Sequence, residues 1–197
     1  MSRTGRPRSF SESAVIEAAT EVFWQHGYDG TSVQRLGERA GVLPGSLHAA
    51  FGDKHALFVR ALEHYTQGQR EAGSWLQEPG PVLPRLREMM YGIIAAAETE
   101  NPRGCMLGNT ATELATDPTA ARIVREAFVE LETAVAHALA RAQSDGEVTG
   151  EIDPGSYASV LVATMQGFHV LARVETNPQR LRDAVDVALA RLSATPS

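Results

Sequence analysis

Apolar residues recur at every third or fourth position along almost the whole 197-residue chain, and no stretch keeps the two-residue period of a strand for long. That periodicity limits the chain to packed helices, so the fold class expected is all-α. No disulfide or metal is needed to hold such a fold together. The single cysteine, Cys105, excludes an intrachain disulfide framework and any Cys-rich zinc module. A chain of this length buries roughly 70% of its unfolded surface without such staples. No stretch of about 18 apolar residues occurs, and no signal-like run follows the Arg-rich start, so the expected location is the cytoplasm, with no membrane partner.

Start and stop residues divide the periodic pattern into helices. The first follows Ser11, with Ser9 as the rival cap, carries Val15, Ala18, Ala19, Val22 and Phe23 on one face and stops at Gly27. The second begins at Thr31, which has capping-box spacing to Gln34, and runs through Val33, Leu36 and Ala40 to Gly41. The third starts near Pro44, turns Leu47 and Phe51 inward and ends at Gly52. Asp53 caps a fourth that carries Leu57, Phe58, Ala61, Leu62 and Tyr65 and reaches about Trp75. Beyond the Pro/Gly-rich segment Glu78 to Pro84, helices are expected near 82–98, 105–115 and 118–143, with two more starting at Asp153/Pro154 and Asn177/Pro178.

Charge separates the two halves. The net charge is −6, yet residues 1 to 60 carry +1 and the remainder −7. Two short helices joined by a tight turn at Gly41 and Val42 fit a helix-turn-helix, whose second helix enters the DNA major groove. Arg3, Arg6 and Arg8 precede the unit on a flat basic segment suited to a minor groove. Lys54 opposes the dipole of the helix it starts, a conflict that a DNA phosphate would resolve. The competing readings are a solubilising tail and a solvated surface lysine.

Residues 11 to 65 resemble the TetR/AcrR family of bacterial regulators. The resemblance rests on A-A-x-x-x-F-x-x-x-G-Y from Ala18 to Tyr28, T-S-V from Thr31, A-G-V from Ala40, P-G-S-L from Pro44, F-G-D-K from Phe51 and Ala56-Leu57-Phe58. It implies a basic arm (1–10), a helix-turn-helix DNA-binding domain (11–55) and an effector-binding and dimerisation bundle (56–197). Carried over by position, it assigns DNA contacts to Gln34, Leu43, Gly45, Ser46, His48, Ala49 and Lys54, places Thr31 and Ser32 near the backbone, and leaves Arg6 and Arg8 to the arm. His48 stands where the family more often has tyrosine, and Leu43 where it has a polar residue. Leu43 to Phe51 holds no Arg, Lys, Asn or Gln, so sequence reading falls to Gln34, to apolar contact of Leu43 or Ala49 with thymine methyls, and to the arm. Gln34 also reads as the capping partner of Thr31.

In the second half, Met89, Met90, Ile93, Met106, Phe128, Met165 and Phe168 form an adaptable apolar set, with Asn109, Gln166 and His169 as polar groups to orient a small effector. The plain alternative is core packing. Cys105 follows Arg103 at a helix start, where dipole and guanidinium both favour thiolate, which makes it a candidate pocket residue and redox sensor. Arg-Gly-Cys resembles a family subgroup that includes electrophile and oxidant sensors. A Cys105 nucleophile with His137 or His169 as base is the one enzymatic alternative. No metal site, cofactor or catalytic residue is expected. The resemblance further implies a homodimer through the last two helices, where Leu161, Met165, Phe168, Leu181, Val185, Leu189 and Leu192 are the candidate interface.

Overall fold

The computed structural model describes residues 11–99 and 102–194. Within them lie nine α-helices: α1 (Glu12–His26), α2 (Val33–Ala40), α3 (Pro44–Phe51), α4 (Lys54–Gly73), α5 (Leu83–Ala97), α6 (Met106–Glu113), α7 (Pro118–Ser144), α8 (Pro154–Leu171) and α9 (Pro178–Ala190). A 3-10 turn, Ser74–Gln77, continues α4. The only β pairing among these residues is an isolated bridge between Val148 and Ser193.

The capping residues explain most boundaries. Ser11, Asp53 and Asp117 each accept from the backbone N–H three residues on, and proline occupies the first turn of α3, α5, α7, α8 and α9. Side-chain carboxylates and guanidinium groups cap where local sequence does not. Glu147 accepts from the N–H groups of Val82 and Leu83 at the start of α5 (2.7 and 2.8 Å), and Arg141 donates to the Leu76 carbonyl at 2.7 Å. One boundary differs from the sequence reading. The cap of α2 is Ser32, whose hydroxyl accepts from Arg35 N–H at 3.2 Å, while Thr31 is buried and donates to the Gly27 carbonyl at 2.7 Å.

Two apolar cores result. The first joins α1 to α4 with the start of α6 and the first half of α7: Val15, Phe23, Leu36, Leu47, Phe58, Leu62, Met106 and Ile123 meet there. Phe58 packs edge-on against both Phe23 and Tyr28, with centroids 5.0 and 5.1 Å apart. The second joins α5, α8, α9 and the rest of α7 around Leu86, Met90, Leu139, Leu161 and Leu189. Both cores run through α7. The boundary drawn at residue 55 therefore cuts across the first core, because Leu57, Phe58, Ala61, Leu62 and Tyr65 of α4 belong to it.

Candidate functional site

The α2–α3 unit is built by a close approach of backbones. A Cβ on Gly37 would lie 2.6 Å from the Val42 carbonyl oxygen, so only glycine lets the turn fold back on α2. Val42 N–H donates to the Gly37 carbonyl at 2.9 Å, and Leu36 and Leu47 close the corner from inside. The outer surface consists of Ser32, Gln34, Leu43, Gly45, His48 and Ala49, all exposed, with Ser46 half-buried. Leu43 is 77% exposed, an unusual state for leucine. Seven of the eleven predicted DNA contacts thus lie at the surface of the α2–α3 unit. Gln34 is no capping partner; its amide donates to Glu38 on the exposed face of α2 at 2.9 Å.

Two of the predicted contacts are engaged within the chain. Thr31 is 2% exposed, and its hydroxyl is spent on Gly27, which removes it from the surface. Lys54 is half-buried and also has partners inside the chain. Its ammonium donates to the carbonyls of Tyr28 (3.0 Å) and Thr31 (3.2 Å) and lies 4.0 Å from the centre of the Tyr28 ring. The lysine ties the α1–α2 loop to the start of α4, a pairing 23 to 26 residues apart that helical spacing could not reveal. Arg6 and Arg8 lie outside the described residues. Sequence reasoning passed over Arg39, an exposed cation in the last turn of α2 with no ion-pair partner among the described residues.

A cavity of about 630 Å³ lies at the seam between the two cores. Met89, Ile93, Cys105, Phe128, Met165, Gln166 and His169 line it, together with Thr66, Trp75, Leu107 and Leu131. Met90 and Phe168 point into the second core instead, and Met106 into the first. Asn109 donates to the Arg103 carbonyl at 2.9 Å and so braces the start of α6. Burial pushes the His169 imidazole down to about 4, so it faces the cavity as a neutral ring. Arg70 and Glu130, also on the wall, form a two-pronged pair (2.6 and 2.9 Å) between α4 and α7. Their separation of 60 residues hides that pair from any pattern in the sequence.

Cys105 is 7% exposed, and the Tyr65 hydroxyl points at its sulfur from 3.9 Å. Burial first, then the neighbouring thiol, raises the Tyr65 phenol above its ordinary range. The Arg103 guanidinium pairs with Glu21 and stacks 3.9 Å over the Trp24 ring. His137 is exposed on α7, and no hydrogen bond joins either candidate base to the sulfur among the described residues. The same residues contain no cluster fit to hold a metal ion and no helix long and apolar enough to cross a membrane.

The predicted dimer residues are all core. Leu161, Met165, Phe168, Leu181, Val185, Leu189 and Leu192 are at most 4% exposed within a single chain. The widest apolar stripe packs inward, and the residues left outside on α8 and α9 are Val160, Val170, Leu171 and Val187, with Val174 just beyond α8.

Fold and site together define an all-helical protein with an exposed helix-turn-helix at one end and a cavity-bearing bundle at the other. Residues 15–61 match the bacterial regulatory proteins of the tetR family, and residues 82–188 match the tetracyclin repressor-like C-terminal domain. An uncharacterised HTH-type transcriptional regulator of Bacillus subtilis, YezE, is 34% identical over 192 residues, covering 95% of this chain and 99% of its own. The Escherichia coli transcriptional repressor ComR is 28% identical over 190 residues (94% and 90%). The regulator CifR, solved as a cysteine-substituted variant on 26-base-pair operator DNA, superposes with a TM-score of 0.81 at 28% identity (95% and 100%). The chain belongs to the TetR family of transcriptional regulators. Partners of that family are operator DNA, a second copy of the chain and small-molecule effectors.

Proposed function

We propose that this chain is a repressor that binds a two-fold symmetric operator as a homodimer and leaves it when a small, uncharged, largely apolar effector fills the cavity. The observation that carries the reading is the cavity's position at the seam of two cores, one of which carries α3. A molecule wedged there changes how the cores sit together, and two recognition helices can then no longer match two grooves at once. Relatives named as repressors, and CifR in its operator complex, support the DNA-binding half.

On the DNA side, α3 enters the major groove with Leu43 and Ala49 against thymine methyls, Ser46 and His48 reach phosphate or base edges, and Ser32, Gln34 and Arg39 of α2 approach the backbone. The basic arm with Arg6 and Arg8 supplies minor-groove contact. On the effector side, Met89, Ile93, Phe128 and Met165 give an apolar lining, and Gln166 and the neutral His169 orient a polar group. Arg70 and Glu130 neutralise each other, which leaves an anionic effector without a counter-ion on the wall. A second reading, detection of electrophiles through Cys105, is favoured by one observation: the only thiol of the chain lines the cavity.

A thermal-shift screen of uncharged apolar compounds, followed by titration of each hit with and without saturating operator, tests the proposal. Hits should bind free protein more tightly than the DNA complex, with equal coupling in both directions. Equal affinity for the two forms refutes release by effector, and hits whose effect vanishes in C105S support the thiol reading.

A further inference from the structure

We infer that Glu113, the last residue of α6, is the positioning residue through which the bundle fixes the pose of the DNA-binding unit. The inference rests on the operator-binding reading above. Gly27 ends α1 with φ +72, and the two residues after it present consecutive N–H groups to one side, a concavity that suits an anion. The Glu113 carboxylate fills it, accepting from Tyr28 N–H at 2.8 Å and from Asp29 N–H at 2.7 Å. A Cβ on Gly27 would lie 2.8 Å from the same carboxylate, so this position needs glycine for space as well as for φ.

The carbonyl side of this loop is held by Lys54, which belongs to α4. The loop is thus gripped by an anion from the bundle on one side and a cation from α4 on the other. Ser32, three residues past Asp29, caps α2, so the grip acts directly on the entry to the helix-turn-helix.

At its other end α6 meets the cavity. Cys105, its N-cap, and Leu107 are cavity wall, and the carbonyl of the preceding Gly104 accepts from the Trp24 indole at 2.8 Å. An eight-residue helix spans about 12 Å. It therefore joins the cavity at one end to the α1–α2 loop at the other. A protein that must place two recognition helices in two grooves together depends on that pose, whereas binding to one groove alone does not.

The test uses the full-length chain and an operator recovered by the unsubstituted protein from a randomised duplex pool. E113Q preserves the side chain's size but offers one acceptor oxygen to two N–H donors and sets its NH2 group against the other. Affinity for the two-half-site operator should fall about tenfold, as expected for a lost charge-assisted contact, while affinity for a single half-site stays within about twofold. Amide exchange at Tyr28 and Asp29 should quicken by at least about tenfold. G27A attacks the same contact from the loop side and should reproduce the split. Equal loss on half-site and full operator reduces Glu113 to a stabiliser of the DNA-binding unit and overturns the inference, as does unchanged binding. If the unsubstituted protein enriches no sequence, the operator-binding reading itself is what fails.

Discussion

Two substitutions two residues apart on α9 separate packing from association. Leu189 is 1% exposed inside the second core, and Val187 is 70% exposed on the outer surface of the same helix. Truncating Leu189 to alanine deletes buried carbons and leaves a cavity, which lowers stability by about 3 kcal/mol. For a chain of this size that lowers Tm by about 6–12 °C. Val187→Glu touches nothing inside the chain and should change protomer stability by no more than about 0.5 kcal/mol. If α8 and α9 pair with a second copy through their outer residues, two-fold symmetry brings two carboxylates into the seam and removes two buried valines. At about 1.5 kcal/mol each, that loss weakens the dimer by about 3 kcal/mol, more than a hundredfold in dissociation constant. Sedimentation equilibrium and thermal melting at one protein concentration read both effects. L189A should remain dimeric where folded but melt early, and V187E should sediment as a folded monomer. A V187E dimer as tight as the unsubstituted one refutes the assignment of this face.

Lys54→Met should lower stability by about 1–2 kcal/mol, since two loop carbonyls lose a charged donor that water only partly replaces. The salt slope of operator binding should not change, and a fall of about one unit would restore the phosphate contact. His169 titrates near 4 when folded and at its usual 6.5 when unfolded, so the unfolded chain takes up the proton first. Its contribution to stability is complete above about 6.5 and is lost as pH falls from there toward 4; H169N should flatten this part of the pH profile of Tm, and an identical profile would show that the ring is solvated. Replacing a contacted thymidine by deoxyuridine should weaken operator binding about fourfold through Leu43, the value of one methyl group. L43A should abolish that preference without changing Tm, and an L43A protein that keeps it would move the contact to Ala49.

Features governed by residues close in the chain were legible in the sequence. Helix starts at Ser11, Asp53 and Asp117 depend on a cap and the amide three residues on, that at Pro44 on a proline in the first turn, and the α2–α3 corner on glycines and leucines within a dozen positions. Ser32 was misread because Thr31 and Ser32 are both good caps; only the Gly27 carbonyl, which takes the Thr31 hydroxyl, decides between them. Long-range polar contacts stayed hidden. Lys54 with Tyr28 and Thr31, Glu113 with Tyr28 and Asp29, Arg103 with Glu21, and Arg70 with Glu130 each join elements that periodicity treats separately. The apolar stripes of α8 and α9 are wide enough in sequence to serve both core and partner, and within the single chain they pack into the core. Periodicity identifies the face that is buried, and cannot tell burial in the same chain from burial against another.

In the function proposed for this chain, the α2–α3 surface reads double-stranded DNA from a two-fold symmetric dimer. Selection of the purified full-length chain on a randomised duplex pool, with neither substrate nor cofactor added, tests it most directly. The enriched sequences should contain an inverted repeat whose half-sites lie about one helical turn, or a multiple of it, apart. Enrichment of an asymmetric site, or none above the background of non-specific binding, would contradict it.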